Sequence, residues 1–321
     1  TVSRILNNQP GYSEKTKAKV VKVINELGFH PNAIARGLVG KKTKTIGVLL
    51  PNVTSSFSSK LLNGIEESAH ENDYSVIVCN TDHKGERTLE YLRVLGEKKV
   101  DGVIFVSQEV TEEYYKVIKE LSVPVVLVSS ISYKYPLPYV KVDDRQAAYH
   151  ATKSLIENGH RQIAIISGDK DDELVGIPRL EGYKQALKDH GLEINEALIT
   201  YGNFGFKSGK SCMEQLLNER DQWQFTAIFA ASDDMAVGAL STAYEHGLRV
   251  PEDFSIIGFD NVDFAEMCIP PLTTVAQPLK EMGNTAILKV KEMIESNTIH
   301  ISSSIMNHEI IKRKTVSRNH T

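Results

Sequence analysis

Apolar positions along this chain change their period once, near residue 45. Before that point they recur at helical spacing. After it, short apolar runs alternate with amphipathic stretches. Residues 1–7 (TVSRILN) read as the end of a helix, and residues 8–11 (NQPG) as a turn. Ser13 is placed to cap a second helix, with Glu14 in its first turn and Gly28 beyond its end. Val20, Val21, Ile24 and Leu27 predict a buried stripe on that helix. A third, short helix can begin after Pro31 and run to Gly40, with Ala33, Ile34, Ala35 and Leu38 along it. Residues 41–45 (KKTKT) read as a polar linker.

Strands are predicted at 46–50, 75–79, 102–106, 124–128, 163–166, 227–230 and 255–258. Amphipathic helices are predicted between them, near 59–71, 86–97, 112–121, 145–158, 178–190, 208–218 and 233–246. This alternation implies parallel sheets flanked by helices, and the number of strands suits two sheets better than one. A long helix near 279–295 and a last strand near 305–311 would complete them. Ligands of open α/β sheets sit beyond the carboxyl ends of the strands, so those loops are where chemistry is expected.

A chain of 321 residues is too long for one compact core, so two or three units are expected. No run of eighteen apolar residues occurs, and no charged-then-apolar leader opens the chain. Cys79, Cys212 and Cys268 are widely spaced and odd in number, which suits reduced thiols and a cytoplasmic location. Thr1 is not an initiator residue, so the sequence is expected to begin inside a longer protein or after processing. Charge is unevenly distributed. Residues 1–45 hold nine Lys or Arg against Glu14 and Glu26, a net of +7, within a total of −4, leaving −11 for the rest. A basic head on an acidic body is expected when one end meets phosphates.

Candidate enzyme motifs fail on spacing. Residues 205–211 (GFKSGKS) imitate a phosphate-binding loop, but Phe204 stands where its first glycine belongs. There is no Gly-x-Ser-x-Gly elbow and no His-Glu-x-x-His pair, and the ten histidines lack metal spacing. Residues 169–173 (DKDDE) lack the glycine and distant glutamate of a calcium loop and read as a solvated loop. No enzyme, metal site or cofactor is therefore expected.

Several segments occur in a telling order. They are Thr-Val-Ser-Arg-Ile-Leu-Asn at 1–7, Pro-Asn-Ala-Ile-Ala-Arg-Gly-Leu at 31–38, Pro-Val-Val-Leu-Val from Pro124, and Arg-Leu-Glu-Gly-Tyr from Arg179. Ser-Asp-Asp-Met-Ala-Val-Gly from Ser232, Ile-Gly-Phe-Asp-Asn from Ile257 and Pro-Leu-Thr-Thr-Val-Ala-Gln-Pro from Pro271 complete the set. In this order the chain resembles the LacI/GalR family of bacterial transcriptional regulators, over essentially its whole length. The resemblance implies an α/β fold: a periplasmic-binding-protein-like core of two parallel-sheet sub-domains, preceded by a small all-α helix-turn-helix head and hinge helix. It implies a head over 1–45 and a core over 46–321. The N-sub-domain would span about 46–145 plus 277–304, and the C-sub-domain about 146–276 plus 305–321. The family's head normally begins about twenty residues earlier, so its first helix is expected to be absent.

In such a head, Arg4 can grip guanine with two bonds, while Thr1, Ser3 and Asn7 can bond phosphates. An exposed surface charge is the plain alternative for Arg4. In the hinge, the resemblance gives DNA contacts to Asn32, Ala35, Arg36 and Leu38. Leu38 would wedge between base pairs in the minor groove, the alternative being a packing residue. In the core it implies effector contacts from Phe57, Ser129, Arg179, Phe204, Ser232 and Asp260. Charged groups would bond paired hydroxyls and the rings would cover a sugar's C–H face. Here the alternatives are a structural ion pair for Arg179 and Asp260, and core packing for Phe57 and Phe204. Purine-responsive members carry an additional arginine before the Arg179 helix. This chain has Glu173 and Val175 near there, and that acidic loop favours a carbohydrate.

The expected partners are palindromic operator DNA, a carbohydrate effector and a second copy of the chain. A co-repressor protein is left open, and no membrane is involved. The alternatives are a purine-responsive or catabolite-control-type regulator of the same family, and outside it a solute-binding protein or an enzyme.

Overall fold

The computed structural model describes residues 2–6, 10–27, 42–82, 85–218, 224–296, 298 and 301–319. Among the described residues of the head lie two helices, α1 (Val2–Leu6) and α2 (Glu14–Glu26). Ser13 caps α2 as the sequence predicts, its Oγ accepting from the Thr16 amide at 3.3 Å. The predicted buried stripe on α2 is corrected. Val20 and Ile24 are half-buried, whereas Val21 and Leu27 are exposed. Among the described residues α2 has α1 to pack on, where Ile5 is buried, and one five-residue helix cannot cover a whole face.

The rest folds as two six-stranded sheets. The first has the order β11-β5-β4-β3-β1-β2, with β1 Thr45–Leu50, β2 Ser75–Asn80, β3 Gly102–Val106, β4 Val125–Val128, β5 Tyr139–Val142 and β11 Ser304–Met306. The second has the order β12-β10-β9-β8-β6-β7, with β6 Ile163–Ser167, β7 Ile199–Tyr201, β8 Ala227–Ala230, β9 Ser255–Asp260, β10 Thr273–Ala276 and β12 Glu309–Ile311. Described pairings are parallel except β10 with β12. The chain passes between the sheets three times, after Val142, after Ala276 and after Met306. The single strand predicted over 305–311 is thus two strands in different sheets, because Asn307 and His308 form the third crossing.

Helices cover both faces of each sheet. They are α3 Ser56–Glu71, α4 Thr88–Glu97, α5 Glu112–Leu121 and α11 Leu279–Ser296 on the first. On the second they are α6 Asp144–Glu157, α7 Gly176–Asp189, α8 Phe206–Asn218, α9 Asp233–Glu245 and the short α10 Asp263–Met267. Helix α3 packs closely on α11. A Cβ on Gly64 would lie 2.1 Å from the Lys280 carbonyl, and one on Gly283 would lie 2.6 Å from that of Leu61. Glycine at both positions is what lets these backbones touch. Each sheet has a core on both faces, built from fully buried Val, Ile, Leu, Phe and Ala. Among the described residues no helix is long and apolar enough to cross a membrane.

Candidate functional site

The segments that follow β1 and β9 meet between the two sheets. After β9 the chain reaches across to the first sub-domain. Lys60 of α3 donates to the Asn261 carbonyl at 2.8 Å and to Asp263 at 3.0 Å, and Val262 is buried in the first core. The loops at this edge are strained. Asp82, Ser107, Ser129, Phe204, Asp260 and Asn261, all non-glycine, follow strand ends with φ between 47° and 118°. Left-handed backbone at such residues costs roughly 1–3 kcal/mol each and persists where the surroundings dictate it, commonly at binding sites.

The second sub-domain's side is charged. Arg179 enters from the first turn of α7, which Asp172 caps by accepting from the amides of Leu174, Val175 and Gly176. The Arg179 side chain is 4% exposed, so its charge requires partners. Its Nε and Nη2 donate to Asp144 Oδ1 at 3.0 and 2.8 Å, and its Nη1 donates to the Ala231 carbonyl at 2.5 Å. Its guanidinium lies 3.6 Å from the centre of the Phe259 ring. Lys141 sits 3.1 Å from the other Asp144 oxygen and also donates to the Leu174 carbonyl at 3.3 Å. Asp260 Oδ1 is 4.0 Å from Arg179 Nη1 and accepts from Gln277 at 2.7 Å. Burial pushes the Asp260 carboxyl up to about 7, although Arg179 and Gln277 pull it down. Burial, and then the charge of Asp260, also raise Asp233, which accepts from the Val262 amide and the Thr274 hydroxyl.

The end of β4, in the first sub-domain, is neutral. Ser129, at the end of β4, is buried, and its hydroxyl has no hydrogen-bond partner. Ser130 donates to the Gln108 carbonyl at 2.6 Å, and the Gln108 side chain is held by Thr81 and Thr88.

The structure therefore brings Arg179 and Asp260 together in the second sub-domain and places Ser129 in the first. The nearer carboxylate to Arg179 is that of Asp144, not Asp260, and sequence reasoning missed it. Asp144, Lys141, Gln277 and Phe259 carried one faint signal, a lysine inside an apolar strand followed by an aspartate pair at a helix start. Ser232 caps α9, its Oγ accepting from the Met235 amide at 3.1 Å and donating to the Phe204 carbonyl at 3.0 Å. The Phe204 ring packs on Gly168, where a Cβ would lie 2.1 Å from it, and against the second core. Its centre is 5.8 Å from the Arg179 guanidinium. Phe57 lies in the first turn of α3, half-buried against the first core. The acidic loop predicted to meet hydroxyls is largely committed elsewhere: Asp172 caps α7, Asp169 accepts from Asp171, and Glu173 is exposed. Among the described residues no group of three or more His, Cys, Asp or Glu is arranged to hold a metal.

In the head, Arg4 is exposed on α1, and Gly11 lies beside its guanidinium. Ser3 stands on the same helix. Thr1, Asn7, Asn32, Ala35, Arg36 and Leu38 lie outside the described residues.

Comparisons with known proteins cover both parts. Residues 1–32 match the model of the bacterial regulatory proteins of the lacI family. Residues 43–314 match that of the periplasmic binding proteins and sugar binding domain of the LacI family. The chain is 39% identical over 315 residues to catabolite control protein A of Priestia megaterium, covering 98% of this chain and 94% of that protein. The structure of the transcriptional regulator CelR with cellobiose superposes with a TM-score of 0.78 at 29% identity, over 98% of this chain and 95% of that one. The lac repressor dimer bound to operator and the anti-inducer ONPF gives 0.87 at 26% identity, over 98% and 94%. With both its head and its core matched in the family's order, the chain belongs to the LacI family of bacterial regulatory proteins.

Proposed function

We propose that this protein is a dimeric, effector-controlled repressor that binds palindromic operator DNA through its head, and that its effector is a sugar or sugar derivative. The effector sits between the strand ends. Arg179 and Asp260 face it from one side and the Ser129 hydroxyl from the other, with Phe57 and Phe204 beside its C–H faces and Ser232 holding the Phe204 loop. The observation that carries this reading is the buried pair of Arg179 and Asp260, 4.0 Å apart in the second sub-domain, together with the buried Ser129 hydroxyl of the first, which has no partner. A polyol offers donors and acceptors to all three. The likeness to a regulator solved with cellobiose supports it. In the head, Arg4 reads a base edge while Thr1, Ser3 and Asn7 fix register on phosphates. Asn32, Ala35, Arg36 and Leu38 meet the minor groove.

A catabolite-control-type regulator is the second reading, favoured by the 39% identity to catabolite control protein A. In that reading a co-repressor protein shares control with the small molecule. A purine effector fits less well, because Glu173 and Val175 offer its carbonyl edges no side-chain donor before α7.

Selection of duplexes from a random pool by the full-length protein tests the operator claim. The expected winner is a palindrome whose affinity falls steeply with salt, since each neutralised phosphate releases counterions. Salt-insensitive binding, or no preferred sequence, contradicts it.

A further inference from the structure

The only covalent path between head and core runs through the polar linker before β1, and its last residues are fastened to the core at one carboxylate. Asp101 lies in the turn between α4 and β3. Its Oδ1 accepts from the Thr43 amide at 2.9 Å and from the Thr43 hydroxyl at 3.3 Å. Its Oδ2 accepts from the Lys44 amide at 2.7 Å. The Thr43 hydroxyl also lies 2.8 Å from the Lys99 carbonyl. One side chain thus holds two successive backbone amides of the linker.

Those amides have no sheet partner of their own, because β1 begins at Thr45. Lys44 has φ 53°, a conformation that a lysine keeps only where neighbours hold it. Its carbonyl accepts from the Ser75 amide at 2.8 Å, and its ammonium lies 4.4 Å from the centre of the Tyr74 ring. The anchor itself is rigid. The Asp101 amide donates to the Thr45 carbonyl at 2.8 Å, and a Cβ on the next residue, Gly102, would lie 2.4 Å from Val290 of α11. The linker is therefore tied to the central strand β3 and to the helix behind it, not to β1 alone.

We infer that Asp101 is a positioning residue for DNA recognition: its carboxylate fixes the direction in which the linker leaves the core, and so fixes the separation of the two heads on the operator. This rests on the operator-binding reading proposed above. A charge-assisted clamp on two consecutive amides removes the swivel that a lysine- and threonine-rich linker otherwise has. Two heads on swivels would accept half-sites at many spacings, whereas two heads on fixed exits accept one.

The test uses the full-length protein and the duplex that the wild type selects from a random pool. Affinity is measured for that duplex and for versions with one or two base pairs inserted between the half-sites. Asp101→Asn keeps the shape but turns one acceptor into a donor facing an amide. Asp101→Ala removes the clamp, and Thr43→Val removes only the hydroxyl bonds. The expected result is at least a fivefold loss of affinity for the selected duplex in both Asp101 variants. The insertion penalty should shrink toward one, with Thr43→Val intermediate, while the melting temperature of the core stays within a few degrees of wild type. An insertion penalty equal to that of wild type in all three variants overturns the inference, as does a loss of affinity that merely follows a loss of core stability. Failure of the wild type to select any duplex instead contradicts the operator-binding reading, and the inference falls with it.

Discussion

In the cluster around Arg179, to which the first sheet contributes Lys141 from β5, the polar groups are charged and already engaged with one another: Lys141 with Asp144, Asp144 with Arg179, and Gln277 with Asp260. At the end of β4, in the first sub-domain, they are neutral, and Ser129 keeps a buried hydroxyl without a partner. The difference separates two tasks. The charged cluster is paired without a ligand, because every charge in it would be costly to leave alone. The neutral side is incomplete, and a ligand bridging the gap would satisfy it. Under the proposed function, the charged cluster would fix a ligand's orientation and the unsatisfied Ser129 hydroxyl would favour a ligand that offers hydroxyls.

The largest expected effect breaks the charged side outright. Arg179→Ala leaves Asp144 buried with Lys141 as its remaining cationic partner and unfastens the Ala231 carbonyl. Removing one partner of a buried pair costs about 3–5 kcal/mol. Chemical denaturation should show that loss of stability together with a loss of effector response. A variant as stable as wild type would mean that the network is not structural.

Asp260→Asn is the next test, and its sign depends on pH. The folded protein holds the Asp260 proton up to about pH 7, whereas an unfolded aspartate releases it near 3.8. The stability contributed by this group is therefore full below the unfolded value and is lost as pH rises through about 7. Asp260→Asn should flatten that decline while weakening the effector by about ten- to a hundredfold, the usual cost of a charged hydrogen-bond partner. An unchanged stability–pH profile contradicts the burial argument. Unchanged effector affinity contradicts the site.

Ser129→Ala gives the smallest effect and sharpens the comparison most cleanly. With no partner in the free protein, the hydroxyl should be lost without destabilisation, and melting should stay level or rise slightly. Effector affinity should fall by roughly 0.5–1.5 kcal/mol, the worth of one neutral hydrogen bond. A drop in melting temperature with full affinity would make Ser129 a structural residue.

The same contrast explains what was legible in the sequence. Strands with continuous apolar runs, such as β1, β3 and β8, were found to within a residue or two, because burial on both faces writes itself into composition. The missed strands are short or carry polar residues for tertiary reasons. They are β5 with Lys141 at its centre, the three-residue β7, and β10 with Thr273 and Thr274 buried. The split of residues 304–311 between two sheets was read as one strand, although polar Asn307, His308 and Glu309 separate the apolar pairs 305–306 and 310–311. Arg179, Asp260 and Ser129 were found through motifs. Asp144, Lys141 and Gln277 were not, since their role arises only when three distant segments meet. The Asp101 clamp was missed for the same reason: nothing in a turn aspartate's own sequence shows which amides it will hold.

The most direct test of the account is a thermal-shift screen of the protein and its Asp260→Asn variant against neutral sugars, sugar phosphates and nucleobases. A ligand that binds only the folded form at about a hundred times its Kd adds about 2.7 kcal/mol. The account predicts such a shift for at least one sugar or sugar derivative with wild type, and its loss in Asp260→Asn. A shift from nucleobases alone, or a sugar shift that the variant keeps in full, would contradict it.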